Sequence, residues 1–136
     1  MADITQTAAN VRPFSGARTL TVTAATTVVG GDLVYKDTTD SNKYRPCDSS
    51  AAASAIIAGM ALTNSSDTEE LVIQLGGEVN PGGTVAVGEV YSCSSNAGKI
   101  APNSDVASGN FGSIFGIGIA ANKILMAITN TSTAHA

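Results

Sequence analysis

At 136 residues the chain is the length of one domain, large enough to bury a core and too short for two ordinary ones. Eleven acidic and 7 basic residues leave a formal net charge of −4, while Ser and Thr together number 29, so the surface is made polar by hydroxyls, amides and backbone rather than by ions. Such a surface lacks the clustered Lys and Arg that displace counterions from phosphates, which argues against nucleic acid as a partner.

The first residues, MADITQTAANVRPF, hold neither a basic nor a strongly apolar leader segment, which predicts a chain made in a cytosol. No run nears the roughly 18 apolar residues of a membrane span, so no membrane partner is expected. Residues 1–18 lack alternation, and Pro13 interrupts any strand they might join. Two readings of this arm stand: a disordered terminus, or an extended segment that orders on a neighbouring subunit with Asn10, Arg12, Pro13 and Phe14 as contacts, Phe14 as anchor and Arg12 as clamp.

From Leu20 the pattern becomes that of strands. LTVT at 20–23 alternates apolar residues with Thr, as in a half-buried strand. TVVGGDLVY (27–35) follows, then Lys43 and Pro46. DSSAAASAII (48–57) invites a single helical turn at most, with Asp48 as its N-cap. AIIAGMAL (55–62) and ELVIQLG (70–76) are apolar strands, the second with Leu71, Ile73 and Leu75 on one face. TVAVGEVY (84–91), Lys99, Pro102, SIFGIGIA (113–120) and KILMAITN (123–130) then repeat the series. Glycines 30, 31, 76, 77, 82, 83, 98, 109 and 112 punctuate these runs as turns or bulges.

The repetition predicts an internal duplication with a period of about 56 residues. Tyr35, Lys43 and Pro46 are spaced as Tyr91, Lys99 and Pro102 are, provided the first copy carries one extra residue before its tyrosine, as a β-bulge would. Gly59 then corresponds to Gly116, and Ala58, Met60 and Leu62 to Phe115, Ile117 and Ile119, predicting one inward row in each copy. The expected fold is all-β: a β-sandwich or partly closed β-barrel of two repeated halves, about 20–76 and 77–130, in a single β-domain over 19–136 with a short C-terminal tail. Tyr35 and Tyr91, at matching positions, are expected to serve structure as a shared core corner rather than to stack a ligand.

No reactive constellation emerges. The only histidine, His135, is penultimate, where nothing positions it as a base. No Lys or carboxylate spacing marks a Ser or Cys nucleophile, so an enzyme is not expected. Cys47 and Cys93 are expected as buried free thiols, at non-equivalent points of the copies, without other soft ligands for a metal. Asp37, Asp40 and Asp48, or Asp67, Glu69 and Glu70, lack the spacing of a calcium loop. Gly116 and Gly118 lack the third glycine and following helix of a dinucleotide fingerprint, so no cofactor is expected. With six aromatics and no Trp, a saccharide platform is poorly supplied.

The motifs VGEVY (87–91), GKIAP (98–102), DVASGNF (105–111) and GIGI (116–119) resemble those of the head decoration, or capsid cement, proteins of tailed bacteriophages, over about residues 20–130. The resemblance implies a structural virion protein, commonly a homotrimer, on the outer surface of the capsid, where it cements neighbouring major capsid protein subunits and stabilises the mature head. The alternative is a phage receptor- or glycan-binding β-module, in a fibre or on the head surface, touching host cell-surface glycans.

Overall fold

In a computed structural model, residues 3–134 are described; Met1 and His135 lie outside them. Among the described residues, ten strands form the fold: β1 (Arg12–Pro13), β2 (Arg18–Thr23), β3 (Leu33–Asp37), β4 (Lys43–Pro46), β5 (Gly59–Ala61), β6 (Glu70–Asn80), β7 (Val90–Cys93), β8 (Ile100–Pro102), β9 (Ile114–Ala120) and β10 (Lys123–Thr129). The helical segments among them are three 3-10 turns, at Ala8–Asn10, Ala53–Ala55 and Asn103–Asp105. None of the helices is long and apolar enough to cross a membrane. The Asp48 carboxylate accepts from the Ser50 N–H and hydroxyl in a local turn, ahead of the 3-10 turn rather than capping it.

The strands build one curled antiparallel sheet in the order β4-β3-β5-β6-β10-β9-β7-β8, a partly closed barrel. The order reads as a four-strand series and its reverse, meeting at β6 and β10. Register makes the repeat explicit. Leu33 faces Met60 and Val34 faces Gly59; 57 residues on, Val90 faces Ile117 and Tyr91 faces Gly116. Val34 also faces Pro46, and Tyr91 faces Pro102.

This register replaces the pairing of tyrosines. Tyr91 is the counterpart of Val34, TVVGGDLV and TVAVGEVY align without a bulge, and the length difference falls in the hairpin before β4 and β8. Tyr91 is buried, and its hydroxyl accepts the Ala86 N–H at 2.8 Å; Tyr35 is half-buried against the same core from outside that position. Volume is exchanged across neighbouring strands: Val34 packs with Ala61, whereas the Tyr91 ring lies 3.6 Å from where a side chain on Gly118, the counterpart of Ala61, would begin. At Gly59 and Gly116 alike, a Cβ would overlap a carbonyl of the adjacent strand, of Gln74 or Leu125, so both strand crossings need glycine.

The expectation of a single inward row is also revised. Met60 belongs to a large core with Leu33, Phe115, Ile100, Ile124 and Val79, while Ala61 belongs to a second core with Val28, Val34, Leu71 and Ile73. β5 is buried on both faces because it runs between two apolar layers, as its uninterrupted burial shows. Ile119, at the far end of β9, is 38% exposed.

β6 holds the halves together. Its first part pairs with β2 and β5, its second with β10 and β1. The halves meet within it, at Gly76 and Gly77, where Gly77 takes φ 88°. Gln74 is fully buried, and its Nε2 donates to the carbonyls of Gly76 (3.0 Å) and Glu78 (2.8 Å), tying the chain across the kink.

The arm is extended and seated on its own domain. Ile4 N–H donates to Ile100 O, Thr7 N–H to Gly82 O and Phe14 N–H to Glu78 O, and Ile4 and Val11 pack on the large core. Pro13 does join a strand, β1, opposite Val79. A two-residue strand at the rim accommodates a proline that a central strand would reject.

Replacing Gln74 with Met keeps a flexible side chain of similar length but removes the donor from two carbonyls. The unfolding free energy, measured by urea titration, should fall by about 0.5–1.5 kcal/mol, the scale of a net hydrogen bond, because Glu78 O keeps the Phe14 N–H and the Gln74 Oε1, buried without a partner among the described residues, is removed as well. An unchanged midpoint would mean that the kink holds without this tie.

Candidate functional site, an amide-rich groove beside the N-terminal arm

The end of β6, the loop after it and the docked arm enclose an open groove of about 520 Å³, lined by Asn10, Arg12, Phe14, Asn80, Gly82, Gly83, Thr84 and Asn122. Local structure places each side chain. The 3-10 turn at Ala8–Asn10 delivers Asn10, and β1 sets Arg12 opposite Asn80. The tight turn after β6 follows from its sequence, NPGG: Asn80 Oδ1 accepts the Gly82 N–H at 2.9 Å, and Gly82 takes φ 88°. Asn122 comes from the short turn between β9 and β10.

Three of the four arm residues singled out from sequence, Asn10, Arg12 and Phe14, thus line one groove; Pro13 is exposed on β1 beside it. Lys123 Nζ lies 4.9 Å from the Phe14 ring centroid, a cation-π distance, and 3.7 Å from Glu78 Oε1. Arg12 forms no salt bridge among the described residues and is exposed. The groove therefore offers a guanidinium, three amides, a hydroxyl and one aromatic ring to an incoming molecule. These groups bind and orient; proton transfer would need a titrating partner that this lining lacks.

Sequence reasoning missed Asn80, Thr84 and Asn122. The NPGG turn carried a legible signal for Asn80, but nothing local marks Asn122, which reaches the groove only because β10 pairs with β6.

Elsewhere, several ionisable groups pair locally or are buried. Asp37 and Asp40 both bond to Arg45, at 2.9 and 2.6 Å. Thr39 and then Arg45 hold the Asp37 carboxyl below the usual carboxylate range. Glu69 accepts the Ser66 N–H. Neither set of acidic residues considered for calcium converges, and no group of three or more His, Cys, Asp or Glu side chains gathers as a metal site among the described residues. Cys47 and Cys93 are both buried and free in the large core, where burial, then the neighbouring Cys93, raises the Cys47 thiol well above its ordinary range.

Asp32 is the one carboxylate buried among the described residues. Its Oδ2 accepts the Val29 N–H at 3.1 Å, and Lys99 Nζ stands 3.5 Å from Oδ1. Burial outweighs both and raises its pKa.

The sequence matches no protein-family model and no curated protein.

The Asp32 environment sets a pH dependence. Between the ordinary aspartate value of about 3.9 and the higher folded-state value, the folded chain holds more protons at this carboxyl than the unfolded chain. This group's contribution to stability therefore declines as pH rises through that window. Replacing Asp32 with Asn should flatten this part of the profile, read from urea midpoints taken at half-unit steps from pH 4 to 7. A variant profile that keeps the wild-type slope would assign the dependence to other carboxyls.

Proposed function

We propose that this protein is a structural virion component that binds the outer surface of a phage capsid through the arm-side groove and cements neighbouring major capsid protein subunits. The observation that carries the reading is the groove itself: an exposed Arg12, in no salt bridge among the described residues, beside Phe14 and three asparagine amides, on a domain whose other charges are few. An Arg and an aromatic side by side are the side chains that most often dominate protein-protein contacts. The motif resemblance supports a major capsid protein as the partner, and the low-charge, hydroxyl-rich surface suits adhesion to protein. A threefold oligomer would place three such grooves around one local axis of the shell, multiplying individually weak contacts. Binding the mature lattice and not its precursor would stabilise the mature head by mass action.

A second reading rests on the same lining. Asparagine amides and an aromatic edge also suit the hydroxyls and apolar face of a saccharide, as in a receptor- or glycan-binding module.

Heads lacking the protein, incubated with it and sedimented, should carry it down, and should then release DNA at a higher temperature. Arg12→Ala or Phe14→Ala should weaken co-sedimentation about tenfold or more, corresponding to about 1.4 kcal/mol or more per anchor. Failure of the wild-type protein to bind or protect heads would overturn the capsid reading. Glycan-array binding lost on the same two substitutions would then favour the adhesion module.

A further inference from the structure

The two halves close differently. In the first, Ala25 N–H donates directly to Tyr44 O at 2.8 Å, and Ala24 bridges Tyr44, so the segment leaving β2 seals the free edge of β4. In the second half the counterparts of Ala25 and Tyr44 are Gly82 and Ile100, and they do not bond to each other. The N-terminal arm lies between them: Ile4 N–H donates to Ile100 O at 2.9 Å, and Thr7 N–H to Gly82 O at 2.8 Å. The arm thus fills a slot that the duplicated chain leaves open.

The slot is shaped for this sequence. Four glycines line it: a Cβ on Gly83 would overlap Thr5 O, on Gly82 Thr7 O and on Gly31 the Gln6 Nε2, whereas one on Gly30 would rest in ordinary contact with Ala8. Gln6 Nε2 donates to the carbonyls of Gly31 (2.9 Å) and Pro81 (2.8 Å), bridging two loops. At the outer end, Asp3 accepts from Ser94 Oγ at 2.6 Å and Asn96 Nδ2 at 2.7 Å. The fit is incomplete at one atom, since Gln6 Oε1 is buried without a partner. Beyond the seat, Ser15 and Gly16 are exposed on one side while Ser15 O accepts the Glu78 N–H at 2.9 Å, and Gly16 takes φ 73°, so a change of direction there costs one backbone hydrogen bond.

We propose that this slot is a recognition site for residues 3–14 of a second copy of the chain, so that arms exchange between subunits. A second copy is the fitting partner because it carries the identical segment with the same bonds. Exchange conserves every contact at the seat, leaving the choice between an own and a borrowed arm to the hinge and to the local concentration of chains. The inference is independent of what the groove binds.

Full-length chains test it. The Cβ of Ala8 lies 3.6 Å from the position a Cβ on Gly30 would take, within disulfide range. A chain carrying both Ala8→Cys and Gly30→Cys should oxidise to an internally linked single chain. Two populations, one with Ala8→Cys and a mass tag, the other with Gly30→Cys, should after mixing and oxidation give a tagged-untagged covalent dimer. Its share should rise with total chain concentration, and it should be lost when Gly83→Val is added to the Gly30→Cys chain. Internal linking without any mixed dimer at any concentration would overturn the exchange. No internal linking would overturn the seat itself, and a mixed dimer undiminished by Gly83→Val would report surface collision and overturn it equally.

Discussion

One strand carries the architecture. β6 serves as the last strand of the first half and continues, past Gly77, as the strand on which the second half begins, so its eleven residues pair with four other strands. A strand with two jobs must change direction between them. The left-handed glycine permits the turn, and the buried Gln74 amide supplies donors where the kinked backbone leaves the Gly76 and Glu78 carbonyls facing inward. Two apolar cores on opposite sides of β5 and β6 follow from this sharing.

The structural repeat is asymmetric where its halves close. In the first half β2 pairs with β6, and Ala24–Ala25, which follow it, reach the edge of β4 at Tyr44. The second half is preceded by β6, already committed to the first, so its NPGG turn leaves the loop short of the outer edge at Ile100. The arm supplies the missing cover. An unpaired edge strand would expose Ile100 and its carbonyl to water or to other chains, and covering it protects against edge-to-edge association.

The same arm builds one wall of the groove. Asn10, Arg12 and Phe14 are held in place by the bonds that seat Thr7 and Phe14 on the domain. Closure of the fold and formation of the groove are thus one event, and a perturbation that unseats the arm dismantles the groove with it. Some charges elsewhere form local pairs, such as Arg45 with Asp37 and Asp40, of a surface kind that contributes little to stability.

The sequence by itself determined the class of fold, because alternation of apolar and polar residues and the spacing of glycines are local properties that strands and turns express directly. It also determined the duplication, since two copies of one pattern leave matching prolines and glycines, and it pointed to Arg12 and Phe14 in the arm. The tertiary structure alone decided the register, pairing Tyr91 with the place of Val34, because which side chain fills a core depends on the space left across the strand, here by Gly118. It decided as well that the arm lies on its own domain and that Asn122 joins Arg12. Both depend on which edges a closed sheet leaves uncovered, a property of strands far apart in sequence that no local pattern records.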